Sequence, residues 1–265
     1  MTTKEKQKNR NEWHLEMESE QTFRTWHSVD NTIIYPYDEN IECLPPRYES
    51  TIIKIKDIDA ATAITWYHDC YPEENLCVLD FASYLKPGGG FLTGANSQEE
   101  MLCMRSNLYS ILKRKPEFYK NNKKLKNNGL YTDNCMYIPD VYFRNEYDVV
   151  SECNVIVCAA PNAKVAIKKF GSIKFGYLTD VMNARIKKIL KIARLNEVDN
   201  LILGAFGCGA FGNSPDLTAT LFFSALFNRF YGSFKRVIFA IPGGKNLEAF
   251  DTAYNNYSKM NDWRV

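Results

Sequence analysis

Residues 87–100 read Pro-Gly-Gly-Gly-Phe-Leu-Thr-Gly-Ala-Asn-Ser-Gln-Glu-Glu, directly after the apolar run Leu76–Ala82 and before a segment with helical periodicity. A short apolar run stopped by glycines and followed by a helix is the pattern of a buried strand in an α/β sheet. Three consecutive glycines strip the backbone of side chains, so the N–H groups of Gly88, Gly89 and Gly90 can approach a phosphate closely. After a seven-residue gap come Gln98, Glu99 and Glu100. A phosphate cradle beside an acid suits the cutting of a glycosidic bond in a phosphorylated sugar.

Outward from this loop, the pattern alternates strands and helices. Thr51–Lys56 alternates apolar and basic residues, as a strand with one exposed face does. Asp57–Cys70 opens on an Asp cap and continues as a helix, and Ser97–Arg114 carries a helical apolar face ending before Pro116. Asn154–Ala160, Asn200–Phe206 and Arg236–Ile241 read as further buried strands, with a helix over Leu178–Arg194. Ser214-Pro215 is an N-cap followed by proline at N1, opening a helix to about Arg229. This alternation predicts a three-layer α/β fold.

At 265 residues, 45% hydrophobic and 24% charged, the chain can bury one large core. We expect a disordered stretch over 1–11, then one domain over 12–265 whose residues 12–49 form a helical extension. A net charge of +2 does not indicate a dedicated nucleic-acid site. The eight cysteines show no Cys-x-x-Cys spacing and the three histidines are scattered, so no metal site and no cofactor is expected. Without an apolar leader or a run near the ~20 residues of a membrane span, a cytoplasmic or nuclear monomer with reduced thiols is the economical expectation.

Several features admit structural explanations. Ser97-Gln98-Glu99-Glu100 fits a capping box, in which Glu100 at N3 bonds back to the Ser97 amide. Capping and chemistry are compatible, since one Glu can cap while the other reacts. Consecutive helical residues point about 100° apart. Glu99 and Glu100 therefore cannot flank one bond from opposite sides, and one must carry most of the proton transfer. Gly207-Cys208-Gly209-Ala210-Phe211-Gly212 matches Gly-x-Gly-x-x-Gly, but 217–247 contain no Asp or Glu to hold a nicotinamide ribose. That loop serves better as a second phosphate cradle, with Phe211 facing a ribose. Lys113–Lys126 holds seven basic residues against one acid, Glu117, and reads first as a solvated loop.

Gly-Gly-Gly, the seven-residue gap and Gln-Glu-Glu resemble the signature of the poly(ADP-ribose) glycohydrolases. The flanks Leu79-Asp80-Phe81-Ala82-Ser83 and Met101–Tyr109, with Tyr137–Arg144, Ala159–Asn162 and Leu203–Asn213, resemble the bacterial-type members, which are compact macrodomains. The resemblance spans about residues 50–245. It implies a mixed sheet between helices and hydrolysis of the ribose–ribose bonds of poly(ADP-ribose), with the polymer or an ADP-ribosylated protein as substrate. It also implies Glu100 as the acid, Glu99 as a positioner of ribose hydroxyls and Gln98 as a support of the loop. Gly88–Gly90 and Gly207–Asn213 would hold the diphosphate, and Phe239–Ile241 would border the adenosine. Hydrolysis of mono-ADP-ribosyl acceptors and non-catalytic ADP-ribose binding are the alternatives; the paired acids argue against the second.

Overall fold

The computed structural model describes residues 3–20, 22–125, 127–144, 150–170 and 175–260. Its centre is a seven-stranded sheet of β1 (Ile33–Tyr35), β2 (Ile52–Lys56), β3 (Leu76–Phe81), β4 (Cys135–Arg144), β5 (Val150–Cys158), β6 (Asn200–Leu203) and β7 (Arg236–Ala240). The strand order is β1-β4-β5-β3-β6-β7-β2. β1, β4 and β5 pair antiparallel, while β5, β3, β6, β7 and β2 run parallel.

Alternation along the strands builds the two helical layers. Cys77 and Leu79 of β3 face α8 (Phe175–Leu195), α9 (Pro215–Phe227) and α10 (Gly244–Met260). Leu76 and Val78 face the layer of α3 (Ala60–Cys70), α4 (Gln98–Met104), α5 (Leu108–Lys113) and α6 (Pro116–Lys124). Asp59 caps α3 by accepting from the Thr62 amide at 3.0 Å. Ser214 caps α9 from the Leu217 amide at 3.3 Å.

The single helix expected over Ser97–Arg114 is two. α4 ends at Met104 and α5 starts at Leu108 because the polar link pairs with β4 instead of continuing the helix. Ser106 forms an isolated bridge with Phe143, and Asn107 Oδ1 accepts the Tyr142 amide at 3.0 Å. The lysine-rich run is mostly helix: Pro116 opens α6, which buries Phe118, Tyr119 and Asn122 beneath its charged face. β4 was not legible as a strand because Pro139-Asp140 interrupts it, and the register shifts there as a bulge between Ile138 and Val141.

Of the stretch 1–11 expected to be disordered, residues 3–11 are helical and residues 1–2 lie outside the described residues. α1 spans Thr3–Glu20 and is followed by α2 (Thr22–Asp30). The polar composition of this stretch concealed tertiary anchors: the Arg10 and His14 side chains are buried against the domain.

Candidate active site

Parallel strands expose their carboxyl ends on one side of the sheet, where ligand sites of open α/β folds lie. The loops leaving β3, β6 and β7 meet there around a cleft of about 960 Å3. Its lining includes Ser83, Gly89, Gly90, Gln98, Glu99 and Glu100 from the first loop and Gly207, Gly209, Ala210 and Phe211 from the second. Ala240, Ile241 and Pro242 close it at the end of β7.

The acids are held at the start of α4. Gln98 fastens that helix to β3, accepting the Phe81 amide at 2.9 Å and donating to the Leu79 carbonyl at 2.8 Å. Glu100 occupies the N3 position of the capping box and accepts the Ser97 amide through Oε2 at 2.9 Å. Its Oε1 accepts the Gly90 amide at 2.8 Å. Capping and exposure to the cleft thus coincide in one residue. Glu99 accepts the Ser83 amide at 2.8 Å through Oε2, whereas its Oε1 is buried without a hydrogen-bond partner.

A third carboxylate lies with them. Asp80, on β3, is fully buried, and neither of its oxygens finds a hydrogen-bond partner. Burial first, then the Glu100 charge, pushes its carboxyl well above the usual range. Burial and the Asp80 charge do the same to Glu99, opposed by the Ser83 amide. Burial and neighbouring like charge thus both favour the protonated forms of Asp80 and Glu99. Sequence reasoning assigned Asp80 no role, although an acid alone within the apolar run Leu76–Ala82 was a usable signal.

The glycine triplet lies against the acids. A Cβ on Gly89 would lie 2.7 Å from both Glu100 Oε1 and Glu99 Oε2, and its φ is +54°. The Gly89 amide donates to the Lys86 carbonyl at 3.1 Å, and the Gly90 amide goes to Glu100. Gly88 lies under the Tyr109 ring, 2.7 Å from the place of a Cβ, and does not line the cleft. Of the three glycines expected to hold a phosphate, Gly89 and Gly90 line the cleft, and in this structure their amides are engaged within the protein.

The second loop differs. The amides of Gly207, Gly209, Ala210 and Phe211 have no acceptor among the described residues, and a Cβ on Gly209 would meet open space. Unengaged N–H groups clustered in a turn can receive an anion. Asn213 braces it from behind, donating to the carbonyls of Pro161 at 2.8 Å and Gly207 at 2.9 Å. Asn213, Cys208 and Gly212 do not line the cleft, and the Cys208 thiol is pushed up to about 11, chiefly by burial. Phe239 is corrected as well. It is fully buried among Phe222, Phe223 and Phe250, because alternation turns it into the core and leaves Ala240 facing the cleft.

An aromatic wall joins the two loops. Tyr131 stacks on Tyr84 with ring centroids 4.1 Å apart and meets Phe211 edge-on at 6.0 Å. Tyr131 has φ +61°, a conformation an L side chain rarely adopts. Arg185, fully buried on α8, holds the segment by donating to Asp133 at 2.8 Å, the Ala159 carbonyl at 2.9 Å and the Leu130 carbonyl at 3.1 Å. Nothing in the local sequence around Arg185 signals this role.

Buried acids and a free-amide loop at the carboxyl edge of a mixed sheet define a class: α/β domains able to bind a phosphorylated sugar and act on it with carboxyl groups. The profile of the microbial-type PARG catalytic domain matches residues 4–145, and the chain belongs to that family. Among solved structures, it is similar to poly(ADP-ribose) glycohydrolase from Thermomonospora curvata, at 28% identity and TM-score 0.78, covering 87% of this chain and 88% of that one. It is similar to the same Thermomonospora curvata enzyme bound to the inhibitor ADP-HPD, at 29% identity and TM-score 0.76, covering 86% and 87%. It also resembles the Deinococcus radiodurans enzyme in complex with ADP-ribose, at 27% identity and TM-score 0.78, covering 88% of this chain and 97% of that one. No curated protein matches.

Proposed function

We propose that this protein hydrolyses the ribose–ribose O-glycosidic bonds of poly(ADP-ribose) and releases ADP-ribose. The observation that carries this is the meeting, in one cleft, of the Asp80–Glu99–Glu100 carboxyl cluster with the free amides of Gly207–Phe211. The amides receive the diphosphate, which fixes the sugar to be cleaved, and Phe211 faces its ribose. Glu99 accepts hydrogen bonds from the ribose hydroxyls.

The carboxyl cluster supplies a proton, which Glu100 delivers to the departing ribose oxygen as the anomeric C–O bond breaks. The oxocarbenium-like centre is captured by water, whose proton returns to Glu100, so the cluster ends as it began. Glu99 and Glu100 are neighbours on one helix, which suits one residue acting as acid and then base. The eight cysteines are free, which supports a reducing compartment. Among the described residues no helix is long and apolar enough to cross a membrane.

The test is incubation with poly(ADP-ribose) and with mono-ADP-ribosylated protein in parallel, identifying the released products by chromatography. ADP-ribose released from the polymer is the expected result. Release from the mono-modified protein alone would replace the polymer as substrate.

A further inference from the structure

α1 has little reason of its own to lie where it does. Its sequence, TKEKQKNRNEWHLEMESE, carries no apolar stripe. Among its described side chains, those of Arg10 and His14 are nonetheless buried. Arg10 Nη1 donates to the Phe91 carbonyl at 3.0 Å and to the Ala95 carbonyl, and Nη2 donates to Asn96 Oδ1 at 3.4 Å. Its guanidinium also lies 5.7 Å from the Phe91 ring centroid. One turn further, His14 meets Tyr109 edge-on at 4.6 Å and Ser110 Oγ at 3.2 Å. Tyr109 is the ring that covers Gly88. One stretch of α1 therefore contacts the acid loop through Arg10 and, through His14, the ring that covers the loop's first glycine.

The contacts fall beside the groups that fix Glu100. Its carboxylate is held by two amides, those of Gly90 and Ser97. Arg10 grips Phe91, which follows Gly90, and Ala95 and Asn96, which precede Ser97. We propose that Arg10 is a positioning residue for Glu100: it sets the spacing of the two amide donors, and α1 is a splint for the acid loop. A planar fork of five N–H donors can bridge several acceptors at once, which an ammonium on a flexible stem does less well. Arg10 does not line the cleft, so its effect falls on turnover and not on diphosphate binding. This inference rests on the assignment of Glu100 made above.

The experiment compares full-length wild type, Arg10→Ala and Arg10→Lys. It measures steady-state release of ADP-ribose from poly(ADP-ribose), calorimetric affinity for ADP-ribose, and Tm. Arg10→Ala is expected to lower kcat by about 10- to 10²-fold, the effect of a small misplacement of a reacting group. KM and ADP-ribose affinity should stay within about threefold, because uniform binding is untouched. Methylguanidinium added to Arg10→Ala should restore part of the rate and leave wild type unchanged, and Arg10→Lys should fall between the two. A kcat for Arg10→Ala within about twofold of wild type, even with a lower Tm, would overturn the proposal. So would a rise in KM alone. If Arg10→Ala does not fold, Arg10→Lys takes its place, and wild-type kcat in that variant overturns it. A wild-type protein that releases nothing from the polymer instead overturns the proposed function.

Discussion

Glu100 caps α4 and, in the proposed reaction, carries the proton, and its substitution separates the two roles. Both oxygens accept backbone amides, so glutamine can satisfy one through its carbonyl but turns an N–H toward the other donor. Glu100→Gln should therefore cost about 1–3 kcal/mol of stability. It should retain ADP-ribose binding and lose at least ~10²-fold in turnover. Product release measured against Tm checks this, and near-wild-type turnover would remove Glu100 as the acid. Asp80 gives a different test. A buried acid with a raised folded-state pKa binds its proton more tightly folded than unfolded. Stability from this group is fully present below the unfolded value of about 4 and is lost as pH rises through the raised folded value. Asp80→Asn removes that slope. The Tm difference, variant minus wild type, should grow from pH 4 upward in a thermal-shift series; a constant difference would mean that Asp80 is ionised in the folded protein.

At the level of elements, the two glycine loops look alike in sequence and differ in which of their amides are engaged. Gly89 sits at positive φ with two carboxylates where its Cβ would be. Gly89→Ala should cost about 1–2 kcal/mol from the left-handed backbone alone, and it should lose turnover with the displaced acids. Gly209 faces open space in the free-amide loop. Gly209→Val should leave Tm nearly unchanged and weaken ADP-ribose by about 10- to 10²-fold, equivalent to one or two hydrogen bonds to a charged group. Calorimetry with both variants checks the division, and equal affinity in Gly209→Val and wild type would move the diphosphate elsewhere. Periodicity alone could not distinguish the loops, since it reports where glycines fall and not which acceptors their amides meet.

For the whole molecule, a preformed cleft binds the folded state only. ADP-ribose at about 100 times its Kd should add ~2.7 kcal/mol and raise Tm by roughly 5–10 °C. Absence of any shift at millimolar ligand would remove the ADP-ribose site. The α/β alternation, most strands of the sheet and the Gln98-Glu99-Glu100 signature were legible along the chain because they are local: period-two burial, strand length, a proline at N1, a cap three residues before an acid. The placement of Asp80 under the glutamates, the Tyr84–Tyr131 wall pinned by Arg185, and the docking of α1 through Arg10 belong to tertiary structure alone. Each joins residues far apart in the chain, Arg10 to Ala95 across 85 positions and Arg185 to Asp133 across 52. A buried guanidinium must find acceptors and a buried carbonyl must find a donor wherever in the chain these lie, and no local pattern along the chain records that pairing.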